Sequence, residues 1–417
     1  MFTVSTATSS WNARIIYATL FMLPVAGISV RHWLSGSFLV LTLLSLPQLF
    51  RKHGELAKEE RVFLAICAAF FAVFIVSALI NEWTQLQTRY LGKEIRFLLI
   101  IPVYLMLRHY PDAGRWLLRG AIVGAFVMLA QALLDIYVLR LPRAEGAYSP
   151  NLLGPVAVLV AFWVLTAWTI ERQRIWHALI PFSFVAALAA ATLSGSRGAY
   201  LAIVAVGVVW IAMRFQGRQL VLAGVAAIAI MVSVFSMSDT VAKRTVSAVA
   251  ELRAYMRTDD PRALEGRFNV AAGRLGPVST RLEMWRVSTL LFRDDPVWGI
   301  GRGNYVNRVG AYVERGLVHP EVAEHSHPHN AYLELLVSKG VVGLVVFAAL
   351  LFYPLAYFVR TSRFSPDTAM LGVVHLTGFA VLSLTDASPF IKGNFISIFL
   401  LCLAVFFAWH VRRVHQG

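Results

Sequence analysis

Runs of about 18–20 apolar residues recur from one end of the chain to the other, and they constrain its fold more than any other feature. As a helix, each run is long enough to cross a hydrocarbon layer about 30 Å thick. Inside lipid every backbone N–H and C=O must be paired within the protein, which leaves only helices or a closed barrel. A membrane barrel needs apolar and polar residues in alternation, whereas these runs are apolar throughout. The expected fold class is therefore all-α: a polytopic membrane helical bundle of about twelve transmembrane helices, with one large, partly helical loop. Composition agrees, because 58% of the 417 residues are hydrophobic and only 15% are charged. Soluble domains average roughly 45–50% and about 25%.

The candidate spans are 14–30, 33–50, 62–80, 95–107, 116–137, 152–170, 176–193, 199–213, 220–237, 334–359, 368–386 and 394–410. Alternate junctions are basic: Arg51, Lys52, Lys58 and Arg61; Arg108, Arg115 and Arg119; Arg172 and Arg174; Arg214 and Arg218; Arg360 and Arg363; Arg412 and Arg413. The positive-inside bias puts these junctions in the cytoplasm, together with both termini. The stretch Met1–Asn12 carries no small-x-small cleavage site, so the first apolar run reads as a retained span or signal anchor. The chain divides into 1–237 with spans one to nine, a loop subdomain at 238–330, and 331–417 with the remaining spans.

The loop 238–330 is rich in Lys and Arg, yet the span count places it outside the cytoplasm. The charge bias governs short loops, and a segment of this length translocates largely regardless of charge. A structureless loop so long is uncommon, so a folded subdomain with a function is expected. Within it, Val241, Val246, Val249 and Leu252 interleave with Lys243, Arg244 and Arg253, which predicts an interfacial helix over 240–256. The net charge of +15 is spread over short junctions, where it sets topology and meets anionic headgroups. Membrane lipids, and no nucleic acid, are the expected partners. Cys67 and Cys402 both lie in apolar runs and form no disulfide framework.

Polar chemistry gathers near the loop. In Ser279–Trp285, Thr280 and Glu283 have capping-box spacing, which predicts a helix start with Arg281 in its first turn. Free N–H groups beside a guanidinium make a diphosphate or carboxylate site; the alternative is an exposed arginine on a loop helix. The Gly-rich run Trp298–Tyr305 lacks the Gly-Lys-Ser/Thr ending of a phosphate-binding loop. Its glycines suit tight turns and close backbone approach, and Arg302 at its centre can reach an anion. Arg197 lies between two apolar runs among Gly and Ser, as either a snorkelling anchor or a functional group. His325, His327 and His329 alternate just before a span. They read as a metal site, as a general base, or as structural residues. Asn330 is a good N-cap for the helix that follows and would hold His329 at a helix start.

Together these segments resemble the O-antigen ligase and polymerase family of bacterial membranes. The ligase pattern is His-[Asn/Ser/Gln], nine residues, Gly-x-x-Gly, then Thr or Val. Here it reads His329-Asn330, Ala331 to Lys339, then Gly340-Val-Val-Gly343, with Leu344 in place of Thr or Val. Ser196-Arg197-Gly198, Arg281-Leu-Glu-Met-Trp285 and Pro296-Val-Trp-Gly-Ile-Gly301 also match recurring segments of the family. The resemblance implies a ligase of the bacterial inner membrane with its active site facing the periplasm. Its donor would be a polysaccharide on undecaprenyl diphosphate, and its acceptor a sugar hydroxyl of lipid A-core. The transfer would be inverting and metal-independent, with no cofactor. His329 would be the base, and Arg197 and Arg281 would clamp the diphosphate; Arg302, Asn330 and His327 are further candidates. An O-antigen polymerase and a protein O-glycosyl ligase are alternatives with the same donor. A twelve-span transporter or flippase is a more remote one, since such folds place charges at the midplane.

Overall fold

The computed structural model describes residues 10–50, 55–81, 83–225, 239–268 and 273–416, with the backbone alone for Ser10 and 239–245. The first nine residues, the Arg51-Lys52 pair and most of the span expected at 220–237 lie outside the described residues. Among the described residues every regular element is a helix. Nine are long and apolar enough to cross a membrane: Trp33–Phe50, Lys58–Ile80, Ala113–Val138, Pro150–Ile170, Arg174–Leu193, Arg197–Arg214, Ala331–Thr361, Pro366–Thr385 and Gly393–Gln416. Each falls on an expected span. Two further expected spans are also helical but shorter, Ser10–Ala26 with 17 residues and Arg96–Leu107 with 12. At 1.5 Å per residue the latter reaches about 18 Å, well short of the hydrocarbon thickness.

The chain forms two compact units, the first comprising Met1–Phe71, Lys93–Trp210 and Phe347–Gly417. At its centre lie Gly393–Gln416, 94% of whose most apolar stretch is buried, Pro150–Ile170 at 78% and Pro366–Thr385 at 72%. Small residues let helices approach closely where apolar attraction between them is weak. Gly120 and Gly124 illustrate this: a Cβ there would come within 2.0 Å of the Phe21 carbonyl oxygen and 2.6 Å of that of Pro24. Two arginines of the Arg108–Arg119 junction are ion-paired rather than free. Arg108 Nε lies 3.1 Å from Glu60, which also accepts from the Tyr104 hydroxyl, and Arg119 Nε lies 2.8 Å from Glu171.

The second unit comprises Ala72–Gly92 and Ile211–Val346. Its core includes Met284, Val287, Leu291, Ile300, Tyr305, Val309, Val318, Val322 and Val337. Around that core lie the helices Asp239–Met256, Pro277–Asp294 and Tyr305–Glu314. Asp239–Met256 matches the helix predicted over 240–256. Val246 and Val249 are exposed on it at 71% and 43%, while Glu251 is buried.

The predicted capping box is not formed. The helix starts at Pro277, with Gly276 as its cap, because proline at the first helical position has no N–H to satisfy. The Thr280 hydroxyl donates to the Gly276 carbonyl, and Arg281 falls in the second turn. The amides of Val278 and Ser279 donate to Glu251 Oε1 at 2.9 and 2.7 Å. A carboxylate from another helix thus occupies the place expected for a ligand anion. Glu283, fully buried, instead ties segments together: it accepts from the Tyr255 hydroxyl and from the His319 amide. Burial, and then the Glu283 carboxylate, hold the Tyr255 phenol above its ordinary pKa.

Candidate active site

The candidate base is held by local chemistry. Asn330 caps the Ala331–Thr361 helix as its side chain predicts, its Oδ1 accepting from the Tyr332 and Leu333 amides at 3.0 and 3.1 Å. His329 immediately precedes the cap and has φ of 50°, a left-handed conformation uncommon for a residue with a side chain. Its amide donates to His327 Nδ1 at 3.3 Å, and the Trp285 indole N–H donates to the Pro328 carbonyl at 3.0 Å. The other two histidines gather around His329, with ring centroids 4.3 Å away for His327 and 5.7 Å for His325. Burial, and then the neighbouring His329, push the His325 pKa down, opposed by Glu321 and Glu324.

The Gly-x-x-Gly part of the motif marks a break in the helix. Gly340 has φ of 64° and ψ of −166°, which no other residue adopts readily. In an unbroken helix the amides of Val341 and Val342 would bond to the carbonyls of Val337 and Ser338. Here they donate instead to the Pro296 and Val297 carbonyls, at 2.9 and 3.4 Å. The Val337 carbonyl accepts from the Ile300 amide at 2.9 Å, and the Ser338 carbonyl from the Ser77 hydroxyl at 3.0 Å. The strap 296–300, together with Ser77, therefore satisfies what the break exposes. Its glycines permit the contact, since a Cβ on Gly299 would lie 2.5 Å from the Lys339 amide nitrogen. Gly343 leaves room for Lys339, whose Cβ would be 2.2 Å from a Cβ there. The nine residues between Asn330 and Gly340 thus form a rod about 14 Å long, capped at one end and broken at the other.

Arg302 is buried, 1% exposed, and its Nη1 lies 3.0 Å from Glu334 and 3.4 Å from the Ser338 hydroxyl. Its guanidinium also lies 5.2 Å from the centre of the Tyr90 ring. Its charge serves the rod, one turn beyond Asn330. Lys339 is fully buried, with Nζ 5.7 Å from the centre of the Phe74 ring. Sequence reasoning passed over Glu334 and Lys339, although ionisable residues inside an apolar run are the signal that could have found them. Arg302→Met is expected to cost about 3–5 kcal/mol, because Glu334 is left buried without this partner. Adding Glu334→Gln is expected to restore most of that loss, as read by thermal unfolding in detergent.

Arg281 is half-buried, on the same face as Trp285 one turn later, and Trp285 reaches the peptide that precedes His329. The second unit therefore sets the helix that bears Arg281 against the segment that carries His327, His329 and Asn330. Arg197 belongs to the first unit. It is exposed and opens the Arg197–Arg214 helix. The turn before it is braced, with Arg143 Nε donating to the Ser194 carbonyl at 2.8 Å and Gly195 at φ of 57°.

Over 370 residues, 85% of this chain and 88% of the relative, the sequence is 22% identical to an uncharacterized protein of Haemophilus influenzae. Residues 182–348 match a family model described as O-Antigen ligase, and that segment holds all six candidate residues. Residues 182–348 of this multi-pass membrane chain, the stretch that holds the candidate site, are thus similar to the O-antigen ligase family.

Proposed function

We propose that the protein is an O-antigen ligase of the bacterial inner membrane, with cytoplasmic termini and an active site open to the periplasm. It moves a polysaccharide from undecaprenyl diphosphate to a sugar hydroxyl of lipid A-core. His329 takes the proton of the acceptor hydroxyl, whose oxygen attacks the anomeric carbon from the face opposite the diphosphate. The anomeric C–O bond to the diphosphate breaks, undecaprenyl diphosphate leaves with the bonding pair, and the anomeric centre inverts. Arg281 meets the negative charge that builds on the leaving group, which is where fixed charge lowers a barrier most. Arg197 is the second guanidinium for the diphosphate, an assignment resting on the Ser196-Arg197-Gly198 triplet. The observation that carries this reading is the fixed left-handed His329, next to the helix that bears Arg281.

The test is complementation of a deletion strain, followed by analysis of surface lipid. The deletion is expected to accumulate full-length polymer on its lipid carrier, and Arg281→Ala or Arg197→Ala to restore less than about a hundredth of attachment. EDTA is expected to leave transfer by purified protein unchanged. Accumulation of single repeat units would make the protein a polymerase, and loss of activity in EDTA would replace the arginine clamp with a metal.

A further inference from the structure

The peptide between Pro328 and His329 is held at both polar atoms. Its carbonyl accepts from the Trp285 indole at 3.0 Å, and its N–H donates to His327 Nδ1 at 3.3 Å. On the far side of His329, Asn330 is fixed by two amides of the helix it caps. The imidazole of His329 thus hangs from a backbone pinned before and after it, in a left-handed conformation that persists only when its surroundings impose it. Neither Trp285 nor His327 needs to meet substrate to do this. Trp285 projects from the Pro277–Asp294 helix, so the orientation of the His329 ring depends on the docking of that helix.

We infer that Trp285 and His327 are positioning residues, which orient His329 by clamping the carbonyl and the N–H of the peptide before it. The inference rests on the reading of His329 as the base. Base catalysis needs the imidazole within hydrogen-bond reach of the acceptor hydroxyl, and misplacement by about 1 Å can cost 10²-fold. The role of His327 is that of an acceptor at the Nδ1 position. Asparagine can supply an oxygen near that point, whereas alanine cannot.

The experiment is steady-state transfer by the full chain in lipid vesicles, with a purified lipid-diphosphate-linked glycan and its acceptor lipid. Trp285→Phe keeps a ring but removes the donor, and it is expected to lower kcat about 10- to 100-fold with KM for the donor within about twofold. His327→Ala is expected to lose a similar factor, and His327→Asn to recover to within about threefold of wild type. Three outcomes would overturn the proposal: unchanged kcat in both Trp285→Phe and His327→Ala, a rise in KM with kcat intact, or equal loss in His327→Asn and His327→Ala. His329→Ala separates this from failure of the premise. If that variant is inactive while the clamp variants are normal, the base stands and the clamp falls; if it is fully active, the base reading falls first.

Discussion

His329→Ala is expected to lower glycan transfer by about 10²–10⁴-fold, the range over which a positioned base contributes. The loss should fall on kcat, since the imidazole acts when the acceptor proton moves. Stability is expected to move differently. His329 has φ of 50°, which glycine adopts without strain. His329→Gly should therefore be as inactive as the alanine variant, yet at least as stable as wild type to thermal unfolding in detergent. A residue kept for packing would lose stability and activity together. Wild-type rates in both variants would remove His329 from the mechanism.

Gly340→Ala is expected to have the largest effect on folding. Its φ of 64° with ψ of −166° lies in a region essentially reserved for glycine. A Cβ there would stand 2.1 Å from the Val297 carbonyl oxygen, so the strap could not stay in register. Little monodisperse protein should be recovered after detergent extraction. Gly36 provides the contrast, because it lies inside Trp33–Ser45 and a Cβ there meets nothing within 4 Å. Gly36→Ala is expected to be tolerated, or to stabilise by roughly 0.5–1 kcal/mol through the lower helix propensity of glycine. Normal yield and melting temperature for Gly340→Ala would mean that the break is dispensable.

What could be read from the sequence was what depends on near neighbours. The apolar runs showed the spans because lipid thickness acts on each run separately. Asn330 could be recognised as a cap because the amides it serves are two and three residues away. The Thr280–Glu283 box failed because its spacing is necessary but not sufficient: Pro277 begins the helix earlier, and Glu251 reaches its amides from another helix. Arg302 looked available to an anion because nothing local revealed Glu334, 32 residues further on. The motif glycines carried the same ambiguity. Their spacing resembled a family pattern, but the need for a glycine at 340 becomes visible only with residues 296–300 lying against it.

The break at Gly340 also bears on how such a protein is made. An unbroken apolar helix completes its own hydrogen bonds and can leave the translocation machinery by itself. The helix Ala331–Thr361 cannot, because its carbonyls at 337 and 338 and its amides at 341 and 342 find partners only on residues made earlier. Unpartnered in hydrocarbon, each such group would cost several kcal/mol. Maturation of this span therefore waits on the folding of the preceding segment. Damage to a buried position as remote as Val309 or Val318 should then surface as a defect in membrane insertion, and the cell's quality control would meet it before any substrate did.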